Sequence, residues 1–158
     1  DAYVEQRAQE LEDVEAATVS VLEHGRAVEA WNRLEPLALG HERPGLHDFL
    51  GRERSCLALI DPRGEPSGLC WVSASGEVGP AVGVEPQHLV PVVLAALDRI
   101  ASTQRPEHLV LHLTTIAWWL LRRLRGLGFL VEDSSWIMCT EPIPGLDRYV
   151  PSRSPMLL

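Results

Sequence analysis

The chain of 158 residues contains no lysine, and its basic total of 14 is made of arginine alone. That excludes chemistry through a Schiff-base lysine and phosphate binding through a Walker-type lysine. A formal charge of −8 leaves little basic surface of the kind that nucleic acid or an anionic membrane requires, so neither is expected as a partner. The densest basic run, Arg122, Arg123 and Arg125, lies in an apolar helical segment and reads as that helix's solvated face. There are only three cysteines, Cys56, Cys70 and Cys139. They form no close pair and sit in apolar stretches, where a thiol behaves as a small hydrophobe; a reducing, cytoplasmic setting is expected. No apolar run approaches the roughly 20 residues of a membrane span, and no charged-then-apolar leader ends in a cleavage site. The six histidines include no H-E-x-x-H pair and no Cys/His cluster, so no metal site is expected. No serine stands in a Gly-x-Ser-x-Gly elbow.

What is present is ordinary globular material: 46% hydrophobic and 23% charged residues, enough for one domain with a full core. Residues 1–16 are charged and weakly apolar and read as a connecting segment. Residues 17–141 read as the domain. Residues 142–158 form a proline-containing tail able to wrap onto its own domain, another domain or a second subunit. Within the domain, "ATVSVLEHG" alternates like a strand, and "RAVEAWNRLEPLAL" spaces Val28, Trp31, Leu34 and Leu37 at helical intervals. "PGLHDFLGR" supplies a short second helix. Three apolar runs separated by turn residues, "RSCLALID", "LCWVSAS" and "GEVGPAVGV", predict sequential antiparallel strands. Then follow a helix over "LVPVVLAALDRIAS", a strand over "HLVLHLTT", a helix over "IAWWLLRRLRGLGF", and final strands in "LVEDS" and "SWIMCTE". Trp118 and Trp119 are adjacent, so one is expected in the core and the other at a sheet edge or a partner.

This order, β-α-α-β-β-β-α-β-α-β-β, resembles the GNAT superfamily of N-acetyltransferases, most specifically from "LCWVSASGEVGPAVGVEP" through Gly128 and Phe129. The resemblance implies an α/β fold whose fourth strand, Val78 to Val84, runs parallel to its fifth, in "HLVLHLTT". It also implies acetyl-CoA as cofactor in the cleft between them and a small-molecule or peptide amine as acceptor, with a second GNAT-like domain or a homodimer among the partners. Carried over by position, Ala81, Val82, Gly83 and Val84 would meet the pantetheine arm, and Gln87, His88 and Leu89 the pyrophosphate. The family's Gly-rich loop is missing: "EPQHLV" has no glycine, places Glu85 where an anion would lie, and loses N–H donors at Pro86 and Pro91. Those two prolines also disagree about where the helix starts. The family's helix Asn and proton-donating Tyr correspond to Ala117 and Leu124. Two bases are candidates, Glu77 at the head of the fourth strand and His112, which alternates with His108, Val110 and Thr114; each also reads as a solvated surface group. Two functions stay open: acyl-CoA-dependent N-acyltransfer by direct attack of an amine on the thioester, or a catalytically degenerate domain used for scaffolding, dimerisation or ligand binding.

Overall fold

The structure, a computed structural model, describes residues 18–105, 107, 109–134 and 136–152. The connecting segment 1–16, His108 and the end of the tail lie outside the described residues. The elements are β1 (Thr18–Leu22), α1 (His24–Leu39), α2 (Leu46–Gly51), β2 (Arg54–Ile60), β3 (Pro66–Ser73), β4 (Val78–Gly83), a 3-10 turn (Pro86–His88), α3 (Leu89–Thr103), α4 (Trp118–Gly126), a second 3-10 turn (Leu146–Arg148) and β5 (Tyr149–Val150). The strands form one sheet in the order β1-β2-β3-β4-β5. Every neighbouring pair is antiparallel.

Successive side chains of a strand point to opposite faces, and here each face meets helices. Cys56, Ala58, Leu69, Trp71, Val82 and Tyr149 pack with Ala27, Trp31, Leu34 and Ala38 of α1. Leu57, Leu59, Cys70, Val72 and Val150 pack with Val92, Val93, Ala96 and Ile100 of α3 and with Leu120 and Leu124 of α4. Covered on both sides, β3 and β4 are buried along almost their whole length, which is why they read as unbroken apolar runs rather than as alternation. The expected α/β class with helices on both sides of the sheet is what the chain adopts. No helix among the described residues is long and apolar enough to cross a membrane.

α1 begins at His24 because the Glu23 carboxylate accepts from the free N–H of Gly25 at 3.0 Å and of Arg26 at 3.4 Å, capping the helix start. It stops at Gly40, whose φ of +81° suits glycine. Its buried stripe runs through Ala27, Trp31, Leu34 and Ala38, while Leu37 is 57% exposed. Leu37 was expected on that stripe. At 3.6 residues per turn it stands about 120° round the helix from Trp31, and Ala38 takes the inward place.

The expected parallel partner of the fourth strand is corrected by the sheet. β4 pairs instead with the tail, antiparallel, at Ala81↔Val150 and Val82↔Tyr149. Residues 109–114 carry no strand. Their alternation is present all the same: Leu109, Leu111 and Leu113 pack on the α3-side core, while Val110 and His112 are exposed. Alternation records which side of a segment faces a core and not which backbone it bonds to. Thr114, expected on the His112 face, is buried and donates from Oγ1 to the Leu146 carbonyl at 2.8 Å. The final strands expected between Leu130 and Glu141 are not formed among the described residues, and Cys139 is exposed rather than in an apolar setting.

These placements give a paired test. Leu34→Ala, on the buried stripe of α1, lowers unfolding free energy by about 2–5 kcal/mol. Leu37→Ala changes it by less than about 1 kcal/mol. Urea denaturation of both variants checks the assignment of α1's inward face.

Candidate functional site

The joint between β4 and α3 is where the sequence points first. Both prolines fit it without a kink: Pro86 opens the 3-10 turn, and Pro91 falls in the first turn of α3, where no intrahelical N–H is needed. The turn uses its own donors. The His88 N–H donates to the Glu85 carbonyl at 3.1 Å, and the Leu89 N–H donates to the carbonyls of Gln87 and Pro86. The Glu85 N–H is taken by His88 Nδ1 at 3.1 Å. Burial lowers the His88 pKa, with Glu85 and Asp61 opposing the shift. The close approach that a phosphate loop makes with its own glycines is made here by glycines beneath it. A Cβ on Gly83 would stand 2.6 Å from the Glu85 carbonyl oxygen, and one on Gly68 2.8 Å from that of His88. Gly68 and Gly83 face each other across β3 and β4, so the turn presses onto the sheet and not onto a ligand.

The outer edge of β4 is occupied by the chain itself. Ala81 and Val82 are flanked by β3 on one side and by β5 on the other. Arg148, just before β5, donates from Nη1 to the Val84 carbonyl at 2.7 Å and from Nη2 to the Leu37 carbonyl at 2.9 Å. The second contact places a cation on the C-terminal turn of α1, where free carbonyls and the helix dipole favour it. The Gly145 N–H donates to the Ala38 carbonyl at 2.7 Å. A Cβ there would stand 2.6 Å from Ala38 Cα, so only glycine permits the contact.

Tyr149 then reaches under α1 into a buried polar cluster. Its hydroxyl donates to Glu35 Oε1 at 2.9 Å and accepts from Arg43 Nη2 at 2.6 Å. Arg43 also donates to both Glu35 oxygens, from Nη2 to Oε1 and from Nε to Oε2, the latter at 3.2 Å. On the other side Trp71 Nε1 lies 3.1 Å from His47 Nδ1. Indole is a donor only, so Nδ1 accepts and Nε2 carries the proton; Nε2 donates to Glu35 Oε2 at 2.8 Å. Trp31 stacks on the His47 ring, with centroids 4.4 Å apart. Burial alone would raise the Glu35 pKa, but hydrogen bonds from His47 and Arg43 and the charge beside it outweigh burial and hold it at about 2. Burial and the Glu35 charge push the Tyr149 phenol up. Glu35 and His47 are each 1% exposed. With both oxygens engaged by donors, this carboxylate is an anchor and not a proton acceptor for a substrate.

The two candidate bases stand apart from that cluster. Glu77 is half-buried and pairs through Oε2 with Arg54 Nη2 at 2.7 Å. His112 is exposed on the segment before α4. Burial drives the Cys56 thiol up to about 12 and Cys70 higher still, which leaves neither a ready thiolate. Among the described residues no group of His, Cys, Asp and Glu could hold a metal ion. A cleft of about 480 Å³ lies between α1, the β2–β3 turn and the end of β4, with Arg33, Leu34, Arg63, Ser67, Val84 and His88 on its walls. Arg33 pairs there with Glu65 at 3.1 Å. Of the seven positions assigned to the cofactor, Val84 and His88 reach this cleft, Ala81 and Val82 are enclosed by strands, and the remaining three are not on its walls. The residues therefore do not fit acetyl-CoA at the position the resemblance gives it.

Comparison with models of known families, with curated proteins and with solved structures finds no match.

The Glu35 cluster was missed in the sequence, although one signal pointed to it. Glu35 sits four residues after Trp31, beside Leu34 and before Ala38, on a stripe that is otherwise apolar, and a carboxylate on such a stripe must be met by donors. His47, Arg43 and Tyr149 come from three separate segments that only the fold brings together.

A group whose folded pKa is depressed contributes stability above its unfolded value, and that stability is lost as pH falls. With Glu35 held at about 2 against an ordinary 4.5, about 3 kcal/mol drains away as pH drops through that window. Glu35→Gln removes this acid-side slope and costs about 3–5 kcal/mol at neutral pH. Tyr149→Phe keeps the slope and costs about 1–3 kcal/mol. Denaturant midpoints across pH for the three proteins check both statements.

Proposed function

We propose that this chain is a GNAT-like domain that has given up acyl transfer and serves as an assembly or ligand-binding module. The observation that carries this reading is the closed outer edge of β4: Tyr149 and Val150 bond where a pantetheine arm would lie. Three further features support it. Two of the three N–H groups assigned to a pyrophosphate, those of His88 and Leu89, are spent within the 3-10 turn. Glu77 is held by Arg54, and Leu124 offers no proton to a departing thiolate.

One observation favours the second reading, an acetyl-CoA-dependent N-acyltransferase acting on an amine. The 480 Å³ cleft brings Arg33 and Arg63 beside Val84 and His88, with Asp61 and Glu65 on the same walls, and guanidinium groups released from those carboxylates suit an anionic ligand.

Isothermal titration decides between the readings. With acetyl-CoA or CoA at millimolar concentration the module gives no binding heat and no thermal shift. Saturable binding that weakens tenfold or more in Arg33→Ala or Arg63→Ala would overturn the module in favour of the acyltransferase.

A further inference from the structure

Among the described residues eleven large hydrophobics stand exposed, and eight of them fall between Val110 and Met138. They occupy α4 and its two flanks: Val110 and Ile116 before the helix, Trp118 at its first position, and Leu127 to Met138 after it. Trp136 is 91% exposed, Met138 92% and Leu130 87%. Among the described residues, none from 130 to 141 takes part in a backbone–backbone hydrogen bond, although this stretch has the composition of strands. Water is a poor neighbour for such a surface. The eight side chains expose on the order of 1,000 Å², close to the ~800 Å² that one partner contributes to a standard interface.

Charge indicates what covers it. On α4, Trp118, Arg122 and Arg125 follow one another at helical spacing along one exposed stripe, with Arg123 beside them. The flank that follows carries exposed Glu132, Asp133 and Glu141. Among the described residues no ion pair involves any of these six. Three unpaired cations and three unpaired anions on one apolar stretch are self-complementary. In a two-fold interface the basic helix of one copy meets the acidic flank of the other, and the mutual repulsion of two acidic chains is offset where they touch.

We infer that α4 with its described flanks, residues 110–134 and 136–141, forms the interface with a second copy of this chain. The inference rests on the reading of the chain as an assembly module and names that module's partner. The unbonded backbone of 130–134 and 136–141 supplies donors and acceptors for strand pairing across the interface, and Trp118, Leu130 and Trp136 are its apolar anchors.

Sedimentation velocity on the whole chain at micromolar concentration tests this. Wild-type protein sediments as a dimer, and Trp136→Glu sediments as a monomer with its far-ultraviolet circular dichroism unchanged. Asp133→Arg weakens the dimer at least tenfold, and adding Arg123→Glu to the same chain restores it. A wild-type monomer throughout the concentration range overturns the inference, as does a dimer that survives Trp136→Glu or a charge exchange that fails to restore. Binding of CoA in the titration above would overturn the module reading while leaving the sedimentation result to stand by itself.

Discussion

A carboxylate buried between a helix and a sheet has to be met by donors, and Glu35 is met from three directions: His47 on α2, Arg43 in the loop before it, and Tyr149 on the tail strand. Each donor comes from a different part of the chain, so satisfying one charge fixes how α1, α2 and β5 sit on the sheet. Removing His47 or Arg43 strips the buried carboxylate of a donor that holds its charge, which costs more than the net worth of the bond itself, whereas the Tyr149 hydroxyl is an added donor on an oxygen that Arg43 also meets. Trp31 and Trp71 close the cluster from the sides, one stacked on His47 and the other bonded to it.

The functional reading follows from that anchor. A two-residue strand pairing is weak alone, but β5 is held at both ends of its approach, by Gly145 and Arg148 on the last turn of α1 and by Tyr149 on Glu35. The tail is therefore part of the sheet and not a loose cover on β4. A resemblance of element order does not carry a function when the edge that would perform it is filled, because activity resides in the site and not in the fold. The glycines tell the same story. Gly68 and Gly83 serve the contact between the joint and the sheet, so the backbone that could have cradled a phosphate is turned inward.

Much of the architecture was legible where one rule decided it. The three central strands, α1, the short α2 and α3 came from apolar runs, helical spacing and the Gly and Pro residues that bound them. The place beside β4 was misread: "HLVLHLTT" alternates like a strand, and the shorter "YV" takes the place because Gly145, Arg148 and Tyr149 fix it to α1 and β4 through contacts that only the fold creates. Leu37 misled because three-residue steps drift off a helix's inward stripe, whereas Ala38, small and easily overlooked, lies on it. The buried cluster was visible in one residue, Glu35, and hidden in the rest, since His47, Arg43 and Tyr149 are brought to it by tertiary packing.

The central claim is that the tail strand is an integral strand of the sheet and closes β4. Native-state amide hydrogen exchange tests it most directly. The account predicts that whichever of the Tyr149 and Val150 amides points at β4 exchanges with the same high opening free energy as the β4 amides that bond to β3, through unfolding of the sheet as a unit. Rapid exchange at both Tyr149 and Val150, the inward-pointing amide included, while β4 stays protected on its β3 side would contradict it.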